Sequence, residues 1–323
     1  MLVTGASGFV GRALCARFAE AEIRALGRHE MAGPWGRFVA WDLRSGTVPA
    51  EALEGVDTVF HLAGIAHALG GVSGDAYYRV NVEGTRGLVE AAAAAGVRGF
   101  VYFSSVKAAA DPPEEECVDE GWDAPPADPY GTSKREAERV VLETGQRAGV
   151  RCVILRPALV YGPGVKGNLL RLMALVAAGR CPPLPDTGNR RSMVHVEDLA
   201  QAAILAAKTP EAAGRTYIVC DPRPYSTREL YVRLCQALGR PVPRWSVPSW
   251  ALRAAGRVGD ICERLLGRRF PVNSEAIGRL LGSACYRPDR IMRELGWRPR
   301  HDLPGSIPEM VAAWREAQGG RAA

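Results

Sequence analysis

The sequence predicts an α/β fold, in which a doubly wound parallel sheet is joined by a smaller, mainly helical C-terminal lobe. Short apolar runs alternate with helical patterns from the first residues to about residue 157. The runs are apolar nearly throughout, which is typical of strands that are covered on both faces, as in a parallel sheet. From residue 222 onward the chain is punctuated by proline and its patterns are mainly helical. The first part therefore predicts the sheet and the last part the lobe.

The predicted strands and helices follow one another in a regular order. Strands are expected at the apolar runs MLVTG, IRALG, FVAWDL, TVFHLAG, GFVYFSS and RCVILRP, which are residues 1–5, 23–27, 38–43, 58–64, 99–105 and 151–157. Helices are expected between them at about 9–20, at about 75–95 and from Tyr130 onward. A strand followed by a helix returns at 192–207, and RTYIV at 215–219 predicts one more strand.

Composition and charge narrow the possible functions. The formal net charge of the 323 residues is +6 and the basic residues are scattered instead of gathered in runs. This pattern favours an anionic small-molecule substrate and argues against nucleic-acid binding. Met1 leads straight into LVTG, and no stretch reaches the roughly 18 apolar residues that a membrane-spanning helix needs. We therefore expect no signal peptide, no membrane span and a cytoplasmic location.

The eight cysteines predict neither a metal site nor a disulfide framework. They are widely spaced, with no Cys-x-x-Cys and no paired histidine spacing. That arrangement is typical of buried thiols in a cytosolic protein. No bound metal is expected.

One segment, VPSWALRAAGRVGDICERLLG at 247–267, combines apolar residues with regularly placed charges. Such a pattern fits a helix whose apolar side packs on the core, and this is the interpretation we expect. An amphipathic helix that lies at a lipid interface is the alternative.

A glycine-rich loop predicts a dinucleotide site. TGASGFVG places Gly5, Gly8 and Gly11 directly after the first strand and before a helix. Glycine lets backbone approach a pyrophosphate, and a helix N-terminus supplies N–H groups and positive potential. Glycine also simply makes turns, but the strand–loop–helix context favours the binding site. The second strand ends at Arg28 and His29, where an NAD enzyme usually carries an acid, so NADP(H) is favoured over NAD(H).

Tyr130 and Lys134 form a second functional pair, in DPYGTSK. The chain has 37 Arg and only 4 Lys, and one of those lysines stands four residues after a tyrosine. Asp128-Pro129 favours a helix start, so both side chains are expected on one helix face. An incidental lysine on a surface helix would give the same spacing. An ammonium, unlike a guanidinium, is a compact charge that can bond a ribose hydroxyl and lower the pKa of a nearby phenol.

Further motifs follow in order: Asp42-Leu43, HLAG (61–64), NVEGT (81–85), FSS (103–105), YGTSK (130–134), LRPALVYGPG (155–164) and NRRSMVHVEDLA (189–200). Together with the glycine loop they resemble the extended short-chain dehydrogenase/reductase family, the NAD(P)-dependent sugar-nucleotide epimerase/dehydratase type. SSVK, GPGVKGN and NRRSMVHV are most similar to bacterial UDP-4-keto-6-deoxy-N-acetylhexosamine 4-reductases, and less to UDP-glucose 4-epimerase.

The resemblance implies a Rossmann fold and assigns roles to residues. Tyr130 would be the general acid/base at the sugar C4 oxygen, and Ser105 would bond the same oxygen. Lys134 would bond the nicotinamide ribose and keep the phenol's pKa within reach of neutral pH. The implied cofactor contacts are Gly5, Ser7, Gly8, Phe9, Val10, Gly11, Arg28, Asp42, Leu43, Leu62, Ala63, Gly64, Asn81, Tyr130, Lys134, Pro157 and Val160. The implied substrate contacts are Ser105, Val106, Lys107, Lys166, Asn168 and Arg191.

The sequence departs from the family pattern at two places. Val106 stands where many members carry a third hydroxyl after the two serines, so the hydroxyl role must fall to Ser105. Lys107 follows and adds a charge that could meet substrate. Leu159 stands where epimerases tend to carry asparagine, so the contacts with the sugar phosphate must differ.

The function that the resemblance implies is NADPH-dependent reduction at C4 of a UDP-linked 4-keto-6-deoxy-N-acetylhexosamine. A UDP-sugar 4-epimerase is the alternative within the fold. A non-catalytic dinucleotide-binding regulatory protein is the alternative of another class, against which the presence of both Tyr130 and Lys134 argues. A 4,6-dehydratase is disfavoured, because SSVKAAADPPEEE offers no acid before Asp111.

The same comparison predicts the domain organisation. A dinucleotide-binding Rossmann domain is expected at 1–164, completed by about 192–220, and a substrate-binding lobe at 165–191 and 221–323. Family members commonly form homodimers through the helix near 75–95 and the Tyr130 helix, so a homodimer is expected.

Overall fold

Eleven strands are present in the computed structural model of the chain, which describes residues 1–66, 72–267, 270 and 272–319. In chain order the strands are β1 (Leu2–Thr4), β2 (Arg24–Gly27), β3 (Arg37–Ala40), β4 (Thr58–His61), β5 (Gly99–Phe103), β6 (Cys117–Val118), β7 (Arg151–Pro157), β8 (Leu159–Tyr161), β9 (Met193–His195), β10 (Thr216–Val219) and β11 (Cys285–Tyr286).

Twelve α-helices connect the strands of this described part. They are α1 (Phe9–Cys15), α2 (Ala50–Leu53), α3 (Gly74–Tyr77), α4 (Gly84–Ala94), α5 (Pro129–Ala148), α6 (Asn168–Ala177), α7 (Val196–Lys208), α8 (Thr227–Leu238), α9 (Ser249–Leu266), α10 (Ser274–Leu281), α11 (Asp289–Leu295) and α12 (Leu303–Gly319). A π-helical turn at Tyr78–Glu83 joins α3 to α4, so the long helix predicted near 75–95 has three parts.

Seven of the strands form one parallel sheet in the order β10-β7-β5-β4-β1-β2-β3. The order runs outward in both directions from β1 and β4, which is the doubly wound Rossmann arrangement that the sequence predicts. In such sheets the ligand binds outside the carboxyl ends of the strands, where the strand order reverses. That point lies between the ends of β1 and β4, at Thr4 and His61.

Side chains of each strand alternate between two cores. On β5, Val101 and Phe103 enter the core under α1 and α7, whereas Phe100 and Tyr102 enter the core under α4 and α5. Because both faces are buried, every residue of β5 is buried. This explains the continuous apolar runs in the sequence.

The C-terminal lobe, as we call residues 165–191 and 221–319, has its own core. Its apolar centre is formed by buried side chains of α6, α8 and α12, among them Met173, Leu234 and Met310. Two short parallel pairs, β8 with β9 and β6 with β11, lie outside the main sheet. No helix in the described ranges has both the length and the apolar character of a membrane span.

Two expectations from the sequence are wrong. The expected absence of disulfides fails because Cys117 and Cys285 are bonded: β6 and β11 pair in parallel with these residues opposite each other, 168 positions apart in sequence. The expected core-packed helix at 247–267 fails because α9 buries only Leu252, Gly256 and Gly259 and exposes most of its large apolar side chains.

Candidate active site and cofactor cleft

A cavity of about 480 Å³ lies at the carboxyl ends of the central strands. Its wall includes residues that follow β1, β2, β3 and β4, so it occupies the point where the strand order reverses. The predicted cofactor contacts that line it are Gly5, Ser7, Gly8, Arg28, Asp42, Leu43, Leu62, Ala63 and Gly64. These residues come from four separate segments, and the sheet brings them together.

The glycine loop leaves room only for backbone. Gly5 has a φ of +68°, and a Cβ there would lie 2.9 Å from the amide nitrogen of Ala63. A Cβ on Gly11 would lie 2.2 Å from the carbonyl oxygen of Gly5. Helix α1 begins at Phe9 with no side-chain cap at Gly8 and no acidic residue in its first turn. Its first N–H groups are therefore placed to receive a phosphate, so the loop fits a dinucleotide.

A buried polar chain, which the sequence did not indicate, fixes the β4 side of the cavity. The Thr4 hydroxyl accepts hydrogen bonds from the amides of Leu62 (3.1 Å) and Ala63 (3.0 Å) and is 2.7 Å from Nδ1 of His61. Nε2 of His61 is 2.9 Å from the Thr85 hydroxyl. Burial lowers the pKa of His61 to about 3, with the Lys134 charge adding to the effect. His61 is thus a neutral brace for the HLAG turn.

Two arginines line the far end of the cavity, which is the end beside β2 and β3. Arg28 is exposed directly after β2 and lines the cavity together with Arg44. Arg44 pairs with Asp42 at 2.6 Å, and its hydrogen bonds lower the pKa of Asp42 to about 2, with a smaller effect from Arg28. Arg44 was not among the predicted contacts. This end of the cavity therefore carries two guanidinium groups, one of which is paired with a carboxylate.

Tyr130 lies in the first turn of α5, where Asp128 caps the helix by accepting a hydrogen bond from the Gly131 amide (2.8 Å). The phenol is buried and is hydrogen-bonded to the Ser105 side chain. The ring of Tyr77 meets that of Tyr130 edge-on at 5.8 Å. The structure therefore brings Ser105 and Tyr130 together as the sequence predicts.

Lys134 follows one turn later and is 5% exposed. Its ammonium donates to the carbonyl oxygen of Phe103 (2.8 Å) and to the Tyr102 hydroxyl (3.1 Å). Burial lowers the pKa of Lys134 to about 8, while the charge of Glu138 opposes the shift. Glu138 also forms a bidentate ion pair with Arg156, at 2.9 and 2.6 Å. Because the pKa of Lys134 stays above neutrality, Lys134 keeps its proton at neutral pH.

The pKa of Tyr130 lies above the range that the resemblance implies, in which Lys134 keeps it within reach of neutral pH. Burial raises the pKa of Tyr130 to about 12, and the charge of Asp128 adds to the rise, whereas the bond with Ser105 opposes it. Lys134 directs its ammonium at Phe103 and Tyr102. The phenol is consequently protonated at neutral pH and is a proton donor.

Asn81 acts as a brace behind the cleft. Its Oδ1 accepts from the Ile65 amide (2.8 Å), and its Nδ2 donates to the Ile65 carbonyl (3.1 Å) and the Ser133 hydroxyl (3.0 Å). Ser133 in turn donates to the Tyr130 carbonyl (2.8 Å). Asn81 therefore ties the loop after β4 to the first turn of α5.

The predicted substrate contacts are less concentrated. Ser105 caps the turn at 106–108, where Val106 is buried, and Lys107 bonds both carboxylate oxygens of Asp111 at 2.6 Å. Lys166 is exposed before α6, and Asn168 is exposed as the first residue of that helix. Arg191 donates from Nη1 to the carbonyls of Arg279 (2.7 Å) and Gly282 (3.1 Å), at the end of α10. These two bonds hold Arg191 against the backbone at that end of the helix.

Comparison with known proteins places this site in a family. Residues 1–220 match the model of the NAD dependent epimerase/dehydratase family. The chain belongs to that family. It is 30% identical to a UDP-glucose 4-epimerase of Vibrio cholerae, over 98% of this chain and 96% of the other. It is 33% identical to a 2-alkyl-3-oxoalkanoate reductase of Stenotrophomonas maltophilia, over 97% and 98%.

The fold of the family is also found in solved structures. The UDP-glucose 4-epimerase of Thermus thermophilus in complex with NAD superimposes with a TM-score of 0.72 and 26% identity, covering 98% of this chain and 99% of that one. The family membership and the preformed cleft identify the chain as an epimerase/dehydratase-type enzyme that uses a nicotinamide dinucleotide.

Some residues that the family pattern assigned to the cofactor do not line the cavity. Phe9 packs on the core of the C-terminal lobe, and Val10 and Val160 pack against the sheet core under α1. Phe9 and Lys166 line a second cavity of about 570 Å³ on the other side of α1. Gly11 and Asn81 shape the loops from behind, and Pro157 ends β7.

His195, Asp198 and His301 form a cluster with the donor types of a metal site. Hydrogen bonds engage its carboxylate and one nitrogen of His195, whereas Nε2 of His195 is buried without a hydrogen-bond partner in the described part of the chain. Asp198 accepts from the amides of Arg300 (3.0 Å) and His301 (2.9 Å), and the two imidazoles stack at 4.0 Å. Nδ1 of His195 accepts from the Glu197 amide in the first turn of α7 (3.3 Å). His195 is therefore a buried member of this cluster.

Proposed function

We propose that this enzyme is an NADPH-dependent reductase that acts at C4 of a nucleotide-linked sugar, with a UDP-4-keto-6-deoxy-N-acetylhexosamine as substrate. The proposal is carried by the hydrogen bond between Tyr130 and Ser105 and by Arg28, which lines the cofactor cavity at the place where NAD enzymes carry an acid. A ketone oxygen gains negative charge as it is reduced, so a phenol and a hydroxyl donor stabilise the transition state more than the substrate.

Each residue of the site has a defined task in this reaction. The nicotinamide cofactor supplies the hydride when bound. Tyr130 donates the proton to the carbonyl oxygen, and Ser105 donates a second hydrogen bond to the same atom. Lys134, one helical turn after Tyr130, is proposed to bond the nicotinamide ribose. The charge of Glu138 favours the protonated state of Lys134.

Arg28 and Arg44 are proposed to bind the 2′-phosphate of NADPH. Purified enzyme is assayed for oxidation of NADPH and of NADH with the UDP-4-keto sugar. We expect kcat/KM to be higher with NADPH, and Arg28→Asp to shift the ratio toward NADH by about 10- to 100-fold, since one charge-assisted bond contributes about 1.5–3 kcal/mol. Arg37→Gln, an exposed arginine of β3 paired with Glu51, is the matched control and leaves the ratio unchanged. An unchanged ratio in Arg28→Asp would contradict the cofactor assignment.

A UDP-sugar 4-epimerase is the second candidate, because the relative from Vibrio cholerae carries that name and shares nearly the whole chain. The same assay separates the two reactions. A reductase consumes NADPH in proportion to substrate, whereas an epimerase recycles a tightly bound cofactor and consumes none. Finding UDP-glucose and UDP-galactose interconverted without net NADPH oxidation would favour the epimerase.

We further propose a cytoplasmic homodimer assembled through α4 and α5. These helices pack against each other within the subunit, and α4 has the sequence GTRGLVEAAAA, whose small residues permit close helix packing. The mass measured by light scattering during gel filtration tests it: twice the chain mass of 34.7 kDa is expected.

A further inference from the structure

Three strips of side chains can be distinguished along helix α9. At 3.6 residues per turn, Trp250, Ala254, Val258, Ile261 and Leu265 fall on one strip. Leu252, Gly256, Gly259 and Glu263 fall on a second strip, and Arg253, Arg257, Asp260 and Arg264 on a third. The first strip, which we call the α9 apolar strip, borders the arginine row directly, because Arg257 is adjacent in angle to Trp250.

The buried strip explains how α9 is attached to the protein. A Cβ on Gly259 would lie 1.7 Å from the carbonyl oxygen of Val272, and one on Gly256 would lie 3.1 Å from Cα of Ser274. The helix therefore lies directly against the backbone that leads into α10. Asp260 accepts from the Ser274 amide (3.0 Å) and Glu263 accepts from the Phe270 amide (2.6 Å), so both acids of α9 serve this attachment.

The apolar strip is left without cover in the subunit. Trp250 is 72% exposed, Val258 59%, Ile261 54% and Leu265 79%. Leu266 at the end of the helix and Trp245 in the loop before it are 55% and 64% exposed. Large side chains gathered on one side in this way mark an interaction surface, unlike single exposed apolar residues.

The arginine row faces solvent. Arg253, Arg257 and Arg264 are exposed, and none of them forms an ion pair or a side-chain hydrogen bond with any residue in the ranges 1–66, 72–267, 270 and 272–319. Hydrogen bonds from Ser274 lower the pKa of Asp260 in the same row, and the charge of Arg264 adds to the shift, so the three guanidinium groups have one carboxylate near them. A row with this excess of positive charge beside an apolar strip is complementary to a surface that is anionic at its edge and apolar beneath. A tryptophan at the border between them suits the headgroup level of a bilayer.

We propose that α9 docks this protein on the surface of an anionic phospholipid bilayer, with the apolar strip in the acyl boundary and the arginines at the phosphates. Two copies of the chain fit the surface less well. An antiparallel pair of α9 helices joined through the strip would bring the two arginine rows together, and like charges repel. The net charge of +6 favours the lipid surface further.

Docking through α9 sets the orientation of the active site. Helix α9 packs on α10, and the end of α10 holds Arg191 through the carbonyls of Arg279 and Gly282. The docked face therefore belongs to the lobe that carries the predicted substrate arginine. The inference does not depend on which reaction the site performs.

The test is co-sedimentation of the full chain with vesicles of phosphatidylcholine alone and of phosphatidylcholine with one quarter phosphatidylglycerol. Binding is expected to the second and at least tenfold less to the first. The variant W250S/I261S/L265S is expected to lose at least tenfold in partition. The variant R253Q/R257Q/R264Q is expected to lose about 100-fold on the anionic vesicles, at roughly fivefold per arginine.

Leu175→Ser is the matched control, because Leu175 is 46% exposed on α6 of the same lobe and lies outside α9. It is expected to bind as the wild type does. Circular dichroism of every variant shows that the fold is kept, since each substituted side chain is exposed. Absence of wild-type binding, or binding that neither triple variant reduces, would overturn the proposal. A concentration-dependent dimer that W250S/I261S/L265S abolishes, without vesicle binding, would overturn it in favour of a second copy.

Discussion

The cofactor cleft and the C-terminal lobe differ in the burial and hydrogen bonding of their polar side chains. In the cleft, Thr4, Asn81 and Lys134 are buried and bonded to backbone on several sides. In the lobe, Lys166 and Asn168 are exposed, and α9 presents an apolar face to its surroundings. The cleft is thus fixed before any ligand arrives, whereas the lobe keeps surface for contacts with other molecules. The difference teaches that the polar groups of the cleft are fixed by contacts with the sheet, whereas those of the lobe are open to solvent.

The carboxylates show the same contrast. In the cleft, bonds from Arg44 lower the pKa of Asp42 to about 2. In the lobe, burial raises the pKa of Asp221 to about 7, even though the hydroxyls of Tyr161 (2.9 Å) and Tyr225 (3.0 Å) donate to it. The carboxyl of Asp42 in the cleft is therefore ionised at neutral pH, whereas burial in the lobe core favours the neutral form of Asp221.

The largest expected effect lies in the cleft. Tyr130→Phe removes the proton donor while it keeps the ring that meets Tyr77. We expect kcat to fall by about 10³- to 10⁴-fold, in the upper range for general acid catalysis, with little change in cofactor affinity. Tyr78→Phe, an exposed tyrosine near Tyr77, is the control. Turnover by Tyr130→Phe at the wild-type rate would sink the catalytic assignment.

The second effect tests whether the cleft depends on its buried ion pair. Arg156→Met leaves the Glu138 carboxylate buried without its partner, which we expect to lower the free energy of unfolding by about 3 kcal/mol or more. Urea unfolding measures the change. Arg139→Met removes an exposed pair on the same helix, with Glu136, and is expected to change it by less than about 1 kcal/mol. Equal losses in the two variants would show that burial of the pair is irrelevant.

The disulfide crosses between the two regions, because β6 follows the Ser105 turn and β11 belongs to the lobe. Cys117→Ser is expected to lower the free energy of unfolding by about 2–4 kcal/mol without reductant. Wild type and variant are expected to converge in dithiothreitol. Cys181→Ser, a half-buried free thiol of the lobe, controls for loss of a sulfur. If the wild type is insensitive to reductant, the bond contributes nothing.

The last prediction concerns Asp221. The folded state raises its pKa to about 7 from an ordinary value near 3.8, so between those values the unfolded state releases the proton first. Stability is therefore expected to fall as pH rises from about 4 to about 7, by at most about 4 kcal/mol from this group at about 1.4 kcal/mol per pKa unit, and to be constant above. Asp221→Asn should flatten that slope in urea unfolding measured across the range, whereas Asp186→Asn, exposed in the same lobe, should keep it. A slope that persists in Asp221→Asn would contradict the assignment.

Much of the sheet and the cleft could be predicted, because their signals are local. Apolar runs mark strands that are buried on both faces, and Gly5 and Gly11 mark places where a Cβ would meet backbone. The spacing of Tyr130 and Lys134 places both on one face of α5. These features need only neighbouring residues to be recognised.

The remaining features depend on contacts between distant segments. Thr4, His61 and Thr85 form a polar chain only once β1, β4 and α4 are assembled. Cys117 meets Cys285 through strand pairing that no spacing reveals. The exposure of α9 arises because glycines bury one narrow strip against 272–274, leaving the apolar strip outside. The pKa of Tyr130 depends on burial, which the helix pattern does not supply.

The most direct measurement follows deuterium from the cofactor to the sugar. The enzyme is incubated with UDP-4-keto-6-deoxy-N-acetylglucosamine and with NADPH that carries deuterium at nicotinamide C4 on the transferable face. The mass of the sugar product is then measured by mass spectrometry. A reductase that uses Tyr130 as proton donor is expected to give one deuterium at C4 per sugar reduced, and Tyr130→Phe is expected to form that labelled product about 10³- to 10⁴-fold more slowly. Unlabelled product, with no NADPH consumed by the wild type, would contradict the reductase.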